Sequence, residues 1–294
     1  MNVHVRAAPY PVELQEKVDA YLAELRFAAE PAAARLEEAM RYSLLAGGKR
    51  IRPVLALATT EALGRPPAEV LPLAAAIEMI HTYSLIHDDL PAMDDDELRR
   101  GKPTCHVAYG EDVAILAGDG LFAEALRLVL GEQRGEPANV LAAVHELVDA
   151  AGVRGMVGGQ FLDVAGDSVE LRHLHELKTG ALIAASVGSV LALEGMSGPA
   201  TIPFRRFAAE LGVVFQIVDD ILDVTGDEAE IGKPRGSDER HGKATYVSVY
   251  GLDGARAMAA ESHGKARAAL TRATAGSGAA ELEQITDFIA TRTT

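Results

Sequence analysis

The chain has no tryptophan, a single cysteine and few aromatic residues, which make up only 5% of its 294 positions. With Cys105 alone, an internal disulfide is excluded, and a single thiol fits a reducing cytoplasm. Alanine and leucine are abundant instead, and both residues favour helix over strand. These features indicate an intracellular helical protein.

Basic residues are also outnumbered, 28 against 43 acidic ones, which gives a net charge of −15 and a pI near 5.0. Non-specific binding to nucleic acid or to an anionic membrane is therefore excluded. The first ten residues lack the apolar run of a signal peptide, and no stretch of membrane-spanning length is free of charge. We expect a cytoplasmic protein that needs a metal ion or a local basic cluster to hold an anionic substrate.

Helical periodicity extends over most of the chain, and no alternating strand pattern or compositional break interrupts it. The sequence predicts a single all-α domain over residues 1–294, a helical bundle in which two acidic helix segments face each other. The predicted helices are 11–30, 32–46, 51–63, 68–90, 111–130, 138–150, 204–226, 244–250, 253–272 and 280–292.

The first acidic segment follows an apolar helical run in residues 77–102. That run ends in Asp88 and Asp89, Pro91 interrupts it, and Asp94 begins a second acidic group. Carboxylates this close repel one another unless a cation lies between them. Mg²⁺ takes one or two carboxylates with water and phosphate oxygens, and the following Arg99 and Arg100 suit the phosphate. The segment predicts a magnesium–phosphate site.

The second acidic segment lies within a predicted helix. Asp219 and Asp223 are four residues apart and Asp220 and Asp223 three apart, so the pairs share a face, with Gln216 one turn earlier. Three uncompensated carboxylates on an apolar helix would cost stability unless cations meet them. We expect a second wall of the same cation site.

Three short segments leave alternatives open. Gly47-Gly48 beside Lys49, Arg50 and Arg52 is either an anion-binding turn or an ordinary helix end with basic residues. The glycines of Gly158-Gly159-Gln160 permit close helix packing or contact substrate. Lys178 and Thr179 precede a nearly uncharged predicted helix, where a lysine either extends to solvent or donates to a phosphate.

These motifs together resemble the trans-isoprenyl diphosphate synthases, especially the short-chain bacterial farnesyl type. The resemblance runs from about residue 30 onward. Its ordered motifs are Gly47-Gly48-Lys49-Arg50-Ile51-Arg52-Pro53, Asp88-Asp89-Leu90-Pro91-Ala92-Met93-Asp94, Gly158-Gly159-Gln160, Lys178-Thr179-Gly180, Asp219-Asp220-Ile221-Leu222-Asp223, Gly232-Lys233 and Lys243-Ala244-Thr245-Tyr246. It implies an isoprenoid-synthase-type bundle with a central active-site cavity, and usually a homodimer.

The resemblance also implies roles for individual residues. Three Mg²⁺ ions would bind an allylic diphosphate through Asp88, Asp94 and Asp219, with Asp89, Asp220 and Asp223 completing the walls. Arg99, Lys178 and Lys233 would neutralise the same diphosphate, and Lys243 would be a further substrate-binding residue. Isopentenyl diphosphate would bind Lys49, Arg52, His81 and Arg100, while Thr179 and Gln216 would stabilise the allylic cation.

Product length depends in this family on the residue five positions before the first aspartate, here Tyr83. A bulky aromatic residue there, with the Pro91-Ala92 insertion, goes with a fifteen-carbon product. The resemblance therefore implies farnesyl diphosphate, with a geranylgeranyl diphosphate synthase as the alternative. Phe122 is the alternative pocket floor, and Phe161 adds bulk near the site.

Three other functions compete with this interpretation. Glu78-Met79-Ile80-His81 and Glu170-Leu171-Arg172-His173 match the Glu-x-x-His pairs of ferritin-like di-iron bundles, but they leave both aspartate clusters unexplained. A terpene cyclase would not need the second diphosphate site. A catalytically silent partner subunit of a heteromeric prenyl synthase would lack acidic or basic residues of these motifs, and all of those residues are present.

Overall fold

A computed structural model of the chain describes residues 9–28, 30–166, 169–226, 243–275 and 278–292. Its α-helices, in chain order, are α1 Val12–Glu24, α2 Ala34–Leu44, α3 Ile51–Ala62, α4 Leu71–Asp88, α5 Cys105–Tyr109, α6 Glu111–Glu132, α7 Pro137–Ala151, α8 Met156–Ala165, α9 Leu171–His175, α10 Ala181–Leu193, α11 Ile202–Thr225, α12 Tyr246–Ala273 and α13 Ala280–Thr291. Short 3₁₀ turns at Pro31–Ala33, Pro67–Val70 and Gly198–Thr201 precede α2, α4 and α11. The prediction of an all-α fold is confirmed.

Helix α4 lies at the centre of the bundle. All of its residues from Leu73 to Ile80 are buried, and it packs against α2, α3, α6 and α10. Helix α10 is apolar on every side and is buried in the same way. A helix without a polar face is stable in water only when other helices surround it. The bundle therefore forms around α4 and carries its C-terminal aspartates to the rim of the core.

Two helical stretches, Pro67–Asp88 and Leu171–Leu193, have the length and composition of a membrane span. Of their apolar windows, 67% and 61% lies buried inside the protein. Buried core helices of soluble proteins have the same length and composition, so these stretches are weak evidence for a membrane span.

Helix α1 ends at Glu24, earlier than the predicted 11–30. Two side chains of α2 hold the following segment in another conformation. The Glu37 carboxylate accepts hydrogen bonds from the backbone N–H groups of Phe27 and Ala28, and Arg41 donates to the Leu25 carbonyl. Because these bonds replace helical ones, the prediction of a longer helix is wrong.

One further local prediction is wrong. A two-stranded antiparallel pair, β1 Leu98–Arg99 and β2 Lys102–Pro103, stands where no strand was expected. Lys178 and Thr179 precede α10 as predicted, and they lie there in a π-helical turn, Glu176–Gly180, that joins α9 to α10. The predicted break between 250 and 253 is present as a kink in α12, where Gly251 has a φ of 72°.

Candidate active site

A cavity of about 550 Å³ opens between α4, α8, the π-helical turn and α11. Three predicted site residues, Asp88, Lys178 and Asp219, line it together, each from a different element. Apolar side chains line another part, among them Val157 and Phe161. The cavity therefore combines a charged region with an apolar one.

The first aspartate motif folds back on the end of α4. The N–H of Asp94 donates to the carbonyl oxygen of Asp88 at 2.8 Å, so the Pro91 loop returns the chain to the helix end. Asp89 points elsewhere: it is 3% exposed and accepts hydrogen bonds from Nε and Nη2 of Arg99. Asp88 is thus the cavity carboxylate, and Asp89 fixes the arginine beside it.

Burial raises the pKa of Asp88 to about 6, and the nearby Asp94 carboxylate contributes to the rise. Lys178, Arg99 and Lys243 lower the pKa of Asp88, but the net shift is still upward, with desolvation as its largest cause. A carboxylate that is desolvated and only partly neutralised attracts a further cation.

Helix α11 supplies the second wall. Asp219 faces the cavity with about half of its side chain exposed, whereas Asp220 and Asp223 are 2% and 6% exposed. Asp220 accepts hydrogen bonds from the Gln216 amide and from the Tyr246 backbone N–H. The predicted metal-binding roles of Asp89 and Asp223 stay predictions.

Gln216 and Thr179 meet across the cavity wall. The Thr179 hydroxyl donates to Oε1 of Gln216 at 2.8 Å, and Nε2 of Gln216 donates to Asp220 at 2.8 Å. Since Asp220 is an acceptor, the amide has one orientation that satisfies both bonds.

A chain of ion pairs joins Lys178, Asp163, Lys243 and Asp94. Nζ of Lys178 lies 2.5 Å from Oδ2 of Asp163, Nζ of Lys243 lies 3.9 Å from the same oxygen, and Lys243 also pairs with Asp94 at 2.8 Å. The sequence analysis missed Asp163, although it stands one helical turn after Gly159, where it shares that residue's face.

Gly159 brings α8 against the π-helical turn. A Cβ atom at this position would lie 2.3 Å from the backbone nitrogen of Lys178. The alternative that the glycines of this motif permit close packing is therefore the one the geometry supports. Gln160 lines the cavity.

A second cationic region contains Arg52, His81 and Arg100, all of which line the cavity. Nη1 of Arg52 is 3.4 Å from Nε2 of His81. Burial lowers the pKa of Arg52 to about 10, and burial together with the neighbouring arginines lowers the pKa of His81 well below 6.5. At neutral pH, His81 is an uncharged hydrogen-bonding group beside charged arginines.

The basic turn before α3 is largely structural. Arg50 is buried and pairs with Asp19 and Glu78. Arg100 donates to the Gly47 carbonyl, and its guanidinium fills the space where a Cβ of residue 48 would lie. Lys49 is exposed, with Nζ 5.6 Å from the centroid of Phe288. Its predicted contact with a diphosphate stays a prediction, and Lys233 lies outside the described residues.

Arg292, after α13, is a further site residue that the sequence analysis missed. Its Nη2 lies 3.2 Å from Oδ1 of Asp219, and its guanidinium lies 4.3 Å from the centroid of Phe215. Arg52 lies on the same ring at 5.5 Å. No spacing near the end of the chain signals this contact.

Tyr83 lines the apolar part of the cavity. Its ring packs edge-on against Phe122, with centroids 5.4 Å apart, and burial raises its pKa to about 12. Phe161 lines the cavity too, with 68% of the residue exposed.

The carboxylates fit Mg²⁺ held jointly with a ligand. Among the described residues, no three histidine, cysteine, aspartate or glutamate side chains form a ready-made metal site. Asp88 and Asp219 instead face one cavity from two helices, and Mg²⁺ commonly takes only one or two carboxylates and fills its shell with water and phosphate oxygens. The raised pKa of Asp88 supports the same fit.

The di-iron alternative is wrong. Glu78 is buried in an ion pair with Arg50 at 2.6 Å, and both Glu170 and His173 are exposed. The two Glu-x-x-His pairs therefore lie in different environments and do not form one metal site in the described part of the chain.

Comparisons with known proteins identify a family to which the chain is similar. A family model described as polyprenyl synthetase matches residues 33–284. The chain is 51% identical over 230 residues to the farnesyl diphosphate synthase of Geobacillus stearothermophilus, covering 76% of this chain and 77% of that one. It is 46% identical over 264 residues to a chloroplastic geranylgeranyl pyrophosphate synthase of Capsicum annuum, covering 87% and 71%.

A solved structure extends the likeness to the fold. The geranyltransferase of Helicobacter pylori, complexed with magnesium and isoprenyl diphosphate, matches with a TM-score of 0.82 and 32% identity. The match covers 97% of this chain and 98% of that one. The chain belongs to the polyprenyl synthetase family, as its ordered motifs predicted.

Proposed function

We propose that the protein is a farnesyl diphosphate synthase, a short-chain trans-prenyltransferase that condenses isopentenyl diphosphate with dimethylallyl and geranyl diphosphates. One observation carries the proposal: Asp88 and Asp219 face one cavity from two helices, and an apolar region lined by Tyr83 adjoins them. A diphosphate needs the charged region and a prenyl chain needs the apolar one. The Geobacillus relative carries the same name.

Asp88, Asp94 and Asp219 would hold Mg²⁺, for which we propose three ions. When bound, the metal neutralises charge on the leaving diphosphate. The Helicobacter geranyltransferase, solved with magnesium, supports this cofactor.

The side chains that would bind the two diphosphates divide into two groups. Lys178, Lys243 and Arg99 adjoin the aspartates, so they would receive the allylic diphosphate. Arg52, His81 and Arg100 would receive isopentenyl diphosphate, since Arg52 and His81 lie 3.4 Å apart and line the cavity together with Arg100. A terpene cyclase would not need this second group.

In the reaction, the allylic C–O bond breaks and the diphosphate leaves with the electron pair. The double bond of isopentenyl diphosphate attacks the allylic carbon, and a proton is then lost to the departing diphosphate. The Thr179–Gln216 pair lines the cavity where the allylic cation would form, and its dipoles would stabilise that positive charge. The apolar lining excludes water that would quench the cation.

The assembly and location follow the family. We propose a homodimer, in which exposed apolar residues of α6 and α7 are covered by a second copy; they include Ile115, Leu116, Leu130 and Leu141. We further propose that the protein is one domain over residues 1–294 and acts in the cytoplasm without a membrane partner.

The test is a product assay. Purified protein is incubated with isopentenyl diphosphate, Mg²⁺ and, in turn, dimethylallyl, geranyl or farnesyl diphosphate, and the dephosphorylated products are separated by chromatography. Farnesol from the first two primers supports the proposal. Geranylgeraniol as the main product would replace farnesyl with geranylgeranyl diphosphate synthase, and no chain extension with any primer would overturn both.

A further inference from the structure

We propose that Asp163 is a positioning residue that holds Lys178 and Lys243 toward the same diphosphate. This inference rests on the proposed function and deepens it. The Asp163 carboxylate is absent from the cavity lining, yet it reaches Lys178, which lines the cavity, and Lys243, which also pairs with Asp94. It therefore acts through other residues.

The local backbone makes this contact possible. Gly159 lets the first turn of α8 touch the backbone of Lys178 in the π-helical turn. Asp163 follows four residues later, so it lies on the same face of α8 and meets the Lys178 side chain. Its own side chain is 13% exposed, which shields the contact from bulk water.

Two ammonium groups share one oxygen of this carboxylate. Oδ2 of Asp163 is 2.5 Å from Nζ of Lys178 and 3.9 Å from Nζ of Lys243. The second lysine also contacts Asp94, which belongs to the first aspartate motif. Asp163 thus links a lysine of the π-helical turn to one that enters from the segment before α12.

The two lysines need such an anchor for physical reasons. Like charges directed at one ligand repel each other, and each lysine has a flexible stem whose ordering costs rotamer entropy. A fixed carboxylate offsets the repulsion and orders both stems before the substrate arrives. Preorganised charged groups stabilise a developing anion more effectively than groups that must first reorient toward it.

The main test compares Asp163→Asn with wild type in steady-state assays that vary each substrate separately. Asparagine keeps the shape and removes the charge. We expect kcat/KM for the allylic diphosphate to fall by about 10- to 100-fold, as for other residues that orient a ligating group. The KM for isopentenyl diphosphate should be unchanged, and Asp163→Glu should recover part of the loss.

Coupling to the lysines separates positioning from a general structural role. In a Lys178→Ala background, Asp163→Asn should have a much smaller effect than in wild type, because its partner is gone. Glu261→Gln, which removes an exposed carboxylate 2.7 Å from Lys265 on α12, is the matched control and should change no kinetic constant. The proposal would be overturned if Asp163→Asn lowered kcat/KM for the allylic diphosphate as much in both the Lys178→Ala and the Lys243→Ala backgrounds as it does in wild type.

Two further readouts complete the test. The Mg²⁺ concentration for half-maximal rate should not change in Asp163→Asn; a large increase with unaltered allylic KM would make Asp163 a metal ligand instead. Calorimetry of inorganic diphosphate binding with Mg²⁺ should show weaker binding by the variant even if wild type transfers no prenyl group, so failure of the proposed function is recognised separately. If Asp163→Asn does not fold, Asp163→Glu is measured in its place. An equal loss of kcat/KM for the allylic diphosphate and for isopentenyl diphosphate overturns the inference.

Discussion

The Thr179 hydroxyl donates a hydrogen bond of 2.8 Å to Oε1 of Gln216, joining the π-helical turn to α11 at the cavity wall. The far side of the amide is held by Asp220, which in turn accepts from the Tyr246 backbone N–H. Gln216 is therefore fixed from both ends, and its orientation does not depend on substrate. A fixed dipole costs no reorganisation when charge develops beside it.

We expect Thr179→Val to lower kcat about tenfold or more while leaving both KM values near those of wild type. Valine keeps the branched shape but cannot donate to Gln216, so the amide loses one of its two anchors. Single-turnover rates with saturating substrates measure the effect. Thr179→Ser retains the hydroxyl and should keep most of the rate; an equally slow serine variant would show that the methyl group, not the hydrogen bond, matters.

Asp88→Ala and Asp219→Ala should each lower kcat by about a thousandfold or more, because each removes a carboxylate from an electrostatic site. The fold should survive. Burial already raises the pKa of Asp88 to about 6, so its charge is unfavourable at neutral pH and its loss should not reduce the melting temperature.

Activity at saturating Mg²⁺ and thermal unfolding followed by circular dichroism check both parts of this prediction. Asp253→Ala is the control, since that side chain is fully exposed on α12. Near-normal activity of either cavity variant would contradict the metal assignment.

The sequence indicates most readily those site residues whose signal is local. Asp88 ends an apolar helix and Asp219 lies within one, and from this pattern alone the sequence predicts that both carboxylates meet a cation. Asp163 and Arg292 gain their roles only from packing: one depends on the close approach at Gly159, the other on where α13 ends. Periodicity does not reveal a π-helical turn either, so Lys178 was correctly placed before a helix while the turn that holds it was not predicted.

Arg52→Gln should raise the KM for isopentenyl diphosphate far more than the KM for the allylic substrate. Loss of a charge-assisted phosphate contact costs about 1.5–3 kcal/mol, or roughly 10- to 150-fold. Lys178→Ala should show the opposite bias, because Lys178 lies with the aspartates, and the same bias is predicted for Lys233→Ala. Arg256→Gln on the exposed face of α12 serves as control. Equal changes for both substrates would mean that the two cation groups do not bind different diphosphates.

Stability should fall in acid partly through His175. Burial lowers its pKa from 6.5 to about 4, and neither ring nitrogen has a hydrogen-bond partner among the described residues. The unfolded chain takes up a proton at this residue below pH 6.5, whereas the folded protein does so only near pH 4. Above pH 6.5 the histidine is neutral in both states and does not change the free energy of unfolding. As the pH falls from 6.5 to 4, the free energy of unfolding decreases by up to about 3 kcal/mol.

His175→Gln removes the titration, so its unfolding free energy should depend less on pH between 6.5 and 4 than that of wild type. Urea unfolding at several pH values measures the slope. His173→Gln, at an exposed position two residues earlier, controls for the loss of an ordinary histidine. Parallel slopes for wild type and His175→Gln would show that His175 is protonated in the folded state as readily as in the unfolded one.

Tyr83 should limit product length. It lies five residues before Asp88, about 7.5 Å along the helix axis at 1.5 Å per residue, and a chain growing away from the diphosphate would pass beside it. Its ring lines the cavity while Phe122, which does not line it, packs against that ring. Tyr83→Ala should therefore extend the cavity toward Phe122 and shift the product from farnesyl to geranylgeranyl diphosphate, as judged by chromatography of the dephosphorylated alcohols.

Two companion variants decide between Tyr83 and its neighbours. Tyr83→Phe keeps the ring and removes the hydroxyl, so product length should stay at fifteen carbons if bulk is what stops the chain. Phe122→Ala should change the product little while Tyr83 is present, and should lengthen it further in the Tyr83→Ala background, because the second ring is reached only after the first is removed. An active Tyr83→Ala enzyme with unchanged product would exclude Tyr83 as the floor, and a shift in Phe122→Ala alone would assign the floor to Phe122.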